Sequence, residues 1–390
     1  MTPRRSAVLA LALVGLLAAG PVATLAASAA PAANAPPPNT SPPNTSPPTT
    51  SPPNAPPPTP SPANAPPPAP SPPTAARLTP AFDFIALGDM PYGADLLVGN
   101  AYRHLIDLVN QTGLPFTLHV GDFKDGVTRC DDAEFALQLS HFMRFSQALI
   151  YTPGDNDWLD CRRRGDDPLA RLAALRQRFF PSAQSLGQHP VPVQRQADVM
   201  PAYAAFVENL RWWHQGVLFA TFHSVGPDNG LEGGTAAVRA ASQQRELANA
   251  AWISAAFDAA RRGASPALVL ITQAEPLRYP ILGKPHWAAL RASHSLSVGR
   301  TLVPLAAKAP FPVLLIHGDG HQYTVDRPFR DSAGRSITTL WRLEVFGAPR
   351  MHAVRVRIQP SADPRQPPFA FTPLWNPLSP DPRKLGHVAP

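Results

Sequence analysis

Cysteine, long apolar runs and basic blocks are what this chain has least of, and each shortage excludes something. Only two cysteines, Cys130 and Cys161, occur in 390 residues. Neither has further Cys or His at the spacing of a thiolate zinc site, so a metal held by sulfur is excluded. Past the N-terminal segment, no run is long and apolar enough to cross a bilayer. No lysine-rich block or nucleic-acid-binding motif occurs, so no specific nucleic-acid partner is expected. The formal charge is +7, and no charge lies between Arg5 and Arg77, so the chain without Arg4 and Arg5 carries about +5. The run Arg162-Arg163-Arg164 reads as a solvated loop, with a phosphate clamp as the other reading.

What is present begins with MTPRRSAVLALALVGLLAAG. Two arginines, an apolar stretch and the small-residue triplet Ala27-Ser28-Ala29 read as a secretory signal peptide over 1–29. An uncleaved anchor is the other reading, because low polarity continues towards Ala33. Residues 30–76 are proline-rich low-complexity sequence, which cannot form a core and is expected to be an extended tether. At about 3.1 Å per residue it would reach on the order of 140 Å. Residues 77–376 are then expected to form the folded domain, and 377–390 a tail. Export implies a periplasmic or secreted protein, with the N-terminal segment as a possible point of envelope attachment. In an exported chain the isolated pair Cys130 and Cys161 reads as a disulfide, worth about 2–4 kcal/mol. Nothing in the sequence signals an oligomeric state.

The domain reads as repeated strand–loop–helix units. Short apolar runs at 82–87, 116–120 and 148–152 have strand character, and each is followed by a helical pattern. LRWW (210–213) and GVLFATFHSV (216–225) read as a hairpin, and a long helix over about 240–262 leads into ALVLI (267–271). PVLLI (312–316) is another buried strand; 338–345 and 352–358 alternate like antiparallel strands. The plan is α/β, layered, with a β-rich C-terminal part.

Four of these strands end alike. Gly88-Asp89, Gly121-Asp122, Gly154-Asp155 and Gly318-Asp319 each follow an apolar run, and His321 lies beside the last. Alone, each Gly-Asp is a common turn or cap. In α/β sheets, however, ligand groups gather beyond the carboxyl ends of strands. Several carboxylates brought together repel one another unless a cation neutralises them. Oxygen donors with an imidazole suit Mn, Fe, Zn or Mg.

In this order, with HVGDFKDG, YTPGDNDWLDC, LVLITQAEP and GDGHQYTVDRP, the motifs resemble the calcineurin-like metallophosphoesterase superfamily, in an exported bacterial branch. The resemblance covers about 82–357 and implies a β-sandwich flanked by helices. It also implies two divalent metal ions and hydrolysis of a phosphate mono- or diester in a small phosphorylated substrate. By motif match, Asp89 and Asp122 would hold the first metal, with Asp122 bridging to the second. Asp155 would take the usual second-metal place, Asp319 and His321 match the two metal-binding histidines of the late motif, and Gln273 falls near another usual metal histidine. Asp122, Asn156 and His321 would take part in the chemistry. Two departures stand out. Pro91 replaces a usual His, and Asn156 replaces the His that assists the leaving group. The site is thus poorer in imidazole and lacks an obvious general acid, with His317 and His223 as candidate substitutes. A non-catalytic protein binding metal or an anionic ligand in the envelope therefore stands as the alternative to an enzyme.

Overall fold

The computed structural model describes residues 80–93, 96–278, 289–360 and 367–380, all within the unit Ala65–Pro390 of the two into which the chain divides. The expected signal peptide, the proline-rich tether, the boundary at 76–77 and most of the expected tail lie outside the described residues. In chain order the first strands are β1 (Phe82–Leu87), β2 (Phe116–His119), β3 (Ala148–Tyr151), β4 (Gln194–Arg195), β5 (Leu210–His214), β6 (Val217–Thr221) and β7 (Leu268–Ile271). There follow β8 (Leu277–Arg278), β9 (Ala289–Leu290), β10 (Val313–His317), β11 (Thr324–Asp326), β12 (Leu340–Glu344), β13 (Ala353–Ile358) and β14 (Phe369–Leu374). One sheet runs β14-β13-β1-β2-β3, the other β11-β12-β10-β7-β6-β5-β4, and β8 pairs with β9.

The two large sheets face each other, and aromatic side chains fill the space between them. Phe84 and Phe116 from the five-stranded sheet meet Phe219 of the seven-stranded sheet edge-on, with ring centres 5.4 and 5.3 Å apart. Trp212 stacks on Phe219 at 5.1 Å, so the Trp-Trp-His run serves packing. Offset and edge-on rings of this kind add specific attraction to a large buried area.

Helices cover both outer faces. On the first sheet lie α1 (Leu96–Gln111), α2 (Asp132–Phe142) and α3 (Pro168–Phe179), with Phe142 and Phe179 packed on Tyr151 of β3. After the short α4 (Gln196–Val199), the long α5 (Ala236–Arg262) buries Trp252, Ile253 and Phe257 against Leu218 and Leu268 of the second sheet. Their starts are legible locally. Asp131 accepts the Glu134 amide at 2.8 Å, Asp167 caps α3 ahead of Pro168, and Thr235 caps α5. No helix among the described residues is long and apolar enough to cross a membrane.

The expected hairpin is present. Gln215 and Gly216, both at positive φ (48° and 76°), make the two-residue turn joining β5 to β6, a geometry that matches strand twist. Both expected strands pair antiparallel, β13 with β1 and β14 and β12 with β11; they lie in different sheets, and β12 also runs parallel to β10. Alternation of side chains reports which face is buried, not the direction of the partner strand.

Candidate functional site

Parallel pairing brings the strand ends together. β1, β2 and β3 run parallel in one sheet, while β6, β7 and β10 run parallel in the other. Their carboxyl ends meet along one edge of the sandwich, so residues far apart in sequence touch across it. Gln273, after β7, donates from Nε2 to Asp122 Oδ2 at 3.2 Å and to Asp155 Oδ1 at 3.1 Å. The Asp319 amide donates to Asp89 Oδ1 at 3.0 Å. The structure therefore gathers Asp89, Asp122, Asp155, Asn156, Gln273, Asp319 and His321 into one place.

The backbone there is unusual. Asp89 (φ 52°), Asp122 (55°), Asp319 (72°) and His321 (59°) all lie in the left-handed region, which L-residues other than glycine enter at a cost and mostly as Asn, Asp or His. Glycines let the chains close in. A Cβ on Gly154 would overlap the Asp122 carboxylate, and one on Gly318 would overlap that of Asp89.

Asp122 is the centre of the hydrogen bonding. Its Oδ2 accepts from Tyr92 Oη at 2.9 Å and from Asn156 Nδ2 at 2.8 Å, besides Gln273. Its Oδ1 accepts the Asn156 amide at 3.0 Å. Asn156 Nδ2 also donates to Tyr92 Oη at 2.8 Å. His321 lies across from them, its Nε2 3.3 Å from Tyr92 Oη and 3.6 Å from Asp89 Oδ1.

So much buried negative charge shows in the acidities. Burial, then the charges of Asp155, Asp157, Asp89 and Asp319, push Asp122 well above the usual carboxylate range. Burial and then Asp319 do the same to Asp155. Asp319 is pushed up to about 7 by burial and by Asp89. Burial acts to lower His321, but its hydrogen bond to Asp89 and that residue's charge outweigh it, and the net direction is up. Tyr92 is raised well above its ordinary value by burial and the neighbouring carboxylates.

Asp157 organises the loops beneath. Its Oδ2 accepts from Tyr151 Oη at 2.6 Å, the Gly154 amide at 2.7 Å and the Asp122 amide at 3.0 Å. Oδ1 accepts the Phe123 amide at 2.8 Å. One carboxylate thus ties the loop bearing Asp122 to the loop bearing Asp155. A second tie is covalent. Cys130 and Cys161 form a disulfide, joining the segment after Asp122 to the short helical turn Leu159–Arg164. Arg162 and Arg163 of that turn pair with Asp160.

Two tests bear on whether these residues suit a divalent cation. Among the described residues, no group of three His, Cys, Asp or Glu is drawn to metal-cage spacing; hydrogen-bond donors stand between the carboxylates instead. Yet Asp89 Oδ2 is buried without a hydrogen-bond partner. His321 Nδ1 lies 2.8 Å from the Ala348 carbonyl, which fixes a proton on that nitrogen and turns Nε2 towards Asp89, the nitrogen that would ligate a cation on giving up its own proton. Asp89, Asp122 and His321 therefore fit a hard or borderline cation by donor chemistry.

No protein-family model matches the chain, and no curated protein matches it. Among solved structures it is similar to a dimetal phosphatase from Danio rerio, at 11% identity and a TM-score of 0.44, covering 76% of this chain and 99% of that one. It is also similar to a purple acid phosphatase from yellow lupin seeds, at 13% identity and a TM-score of 0.43, over 72% of this chain and 50% of that one. A third is a 5'-nucleotidase from Candida albicans, at 11% identity and a TM-score of 0.37, over 75% and 50%.

The two histidines considered as substitute acids are not placed for it. His223 is fully buried, with Nδ1 2.7 Å from Glu208 and Nε2 accepting from Trp158 Nε1 at 3.2 Å. Burial holds it down to about 4. His317 is fully buried too and is held down to about 3 by burial and then Arg342. His119, in β2, packs on Phe142 and accepts the Gly121 amide at 3.2 Å. Tyr92 had no signal in the sequence beyond its place three residues after Asp89. The role of Asp157 had one signal, its place two residues after Asp155 in the same turn.

Proposed function

We propose that the chain is an exported, metal-dependent phosphoesterase that hydrolyses a phosphate mono- or diester in a small phosphorylated compound. The observation that carries this is the convergence of Asp89, Asp122, Asp155, Asp319 and His321 from both sheets, with Asp89, Asp122, Asp319 and His321 at strained positive-φ positions. Strained backbone at clustered polar residues is characteristic of working sites. The resemblance of the ordered motifs to the calcineurin-like metallophosphoesterases agrees with it.

A divalent cation held by Asp89, Asp122 and His321 would supply Lewis-acid polarisation of a phosphoryl oxygen and a water acidic enough to react near neutral pH. The chain's own residues do the rest. Asp157 and the disulfide hold the two loops in register. The Asn156 amide nitrogen donates both its hydrogens, to Asp122 and Tyr92, and would reach an ester oxygen only by giving up one of these bonds. It cannot deliver a proton, and among the described residues the one histidine facing the cluster is His321, assigned here to the cation. Esters with good leaving groups are therefore the favoured substrates, since a general acid is typically worth 10²–10⁴-fold, as an order of magnitude.

That absence of an acid also supports a second reading, a non-catalytic protein that keeps the pocket to bind metal or an anion at the cell envelope. The test is the metal content of the purified chain beside Asp122→Ala, followed by a phosphatase and phosphodiesterase screen. Metal lost in the variant together with turnover of an aryl phosphate supports the enzyme. Bound metal with no turnover of any ester supports the second reading, and no metal in either protein removes both metal-based readings.

A further inference from the structure

Gln273 stands where the resemblance implies a ligand to a second cation, and its carboxamide is fully buried. Which way the amide faces is decided by Gly226, whose backbone N–H donates to Gln273 Oε1 at 2.7 Å. A rotated amide would set its NH₂ against that N–H, two donors face to face in a dry site. With the oxygen committed to Gly226, the NH₂ points at Asp122 Oδ2 and Asp155 Oδ1, 3.2 and 3.1 Å away. These are the two carboxylates that the motif match gives to a second cation. An amide nitrogen has no lone pair to offer a metal, and its hydrogens occupy the lone pairs of the carboxylates instead.

The other end of the cluster differs. Asp89 Oδ2 is buried and unpartnered, and His321 turns Nε2 inwards because Nδ1 is engaged by Ala348. One end has open donors. The other has its carboxylates joined by an amide.

We propose that the site takes a single divalent cation, at Asp89, Asp122 and His321, and that the Gln273 NH₂ occupies the place of a second, bridging Asp122 and Asp155 by hydrogen bonds. This rests on the reading that the site binds a cation, and it contradicts the two-ion expectation drawn from the motifs. A second ion needs ligands that the Gln273 end of the site does not supply.

The test uses the full chain stripped with chelator and reloaded with excess Mn²⁺. Bound metal is counted by elemental analysis, and its magnetic state is read by electron paramagnetic resonance. Wild type should hold about one equivalent with the spectrum of an isolated ion. Gln273→Glu keeps an oxygen for the Gly226 N–H and replaces the NH₂ with a second oxygen, so it should approach two equivalents with an exchange-coupled spectrum. Gln273→His, checked for native circular dichroism, provides an independent second ligand and should do the same. About two coupled ions in wild type would overturn the inference while leaving the phosphoesterase reading intact. Variants that both fold yet stay at one equivalent would overturn the role given to Gln273. No binding by wild type at millimolar Mn²⁺ would overturn this inference and the metal-dependent reading together.

Discussion

Truncating Asp157 offers the sharpest check on how the loops are held. Asp157→Ala removes the acceptor of four buried donors, the Tyr151 hydroxyl and the Gly154, Asp122 and Phe123 amides. Each orphaned donor costs about 1–3 kcal/mol. Against this, burial pushes Asp157 up to about 6 from an ordinary 3.8, so removing the charge recovers roughly 3 kcal/mol at neutral pH. The balance is a loss on the order of 4 kcal/mol, and Asp157→Asn, which keeps one acceptor oxygen, should fall between wild type and Ala. Urea denaturation followed by tryptophan fluorescence measures it. The same N–H groups aim the loops carrying Asp122 and Asp155, so Mn²⁺ affinity should also fall, by about 10–100-fold as for other partners of metal ligands. An Ala variant within about 1 kcal/mol of wild type, binding Mn²⁺ equally well, would show that Asp157 does not organise the site.

Other consequences can be checked separately. Burial and the neighbouring Glu275 push Glu344, which is 3% exposed, up to about 8 from an ordinary 4.5. The native state therefore holds a proton that the unfolded chain releases, and this stabilisation, complete below about pH 4.5, is lost as pH rises through 8, on the order of 5 kcal/mol. Glu344→Gln should flatten that slope and exceed wild-type stability at pH 9; parallel pH curves for the two proteins would contradict it. Reducing Cys130–Cys161 should lower stability by about 2–4 kcal/mol, and an unchanged urea midpoint under reductant would count against the disulfide as a brace. Asp122→Ala should lose all bound metal, because Asp122 faces both ends of the cluster; retention of wild-type content would remove it from the ligand set.

The layered plan and the gathering of carboxylates were legible because the same signal repeated. An apolar run buried on both faces, ending in Gly-Asp, marks a parallel strand whose carboxyl end opens a loop. Repetition across four strands made one place out of four weak signs. That β12 and β13 lie in different sheets, and that β12 also pairs in parallel with β10, was not legible, since alternation says nothing about the strand beside it. The orientation of Gln273 was hidden for a related reason. It is dictated by a backbone N–H 47 residues earlier, and hydrogen-bond direction in a side-chain amide leaves no trace in spacing. Asp157 looked like one more turn aspartate. Only three-dimensional proximity shows that its carboxylate faces inwards, towards two loops, and that Asp155 faces the cluster.

The floor of the site comes from both leaves of the sandwich, Asp89, Asp122 and Asp155 from one and Gln273, Asp319 and His321 from the other. Anything bound there acts as a rivet through the two. Its free energy belongs to the parting of the leaves and not to the local ordering of a loop, so it should slow the exchange of amides deep in β1 and β7 together. A ligand at this edge thus governs when the whole sandwich comes apart.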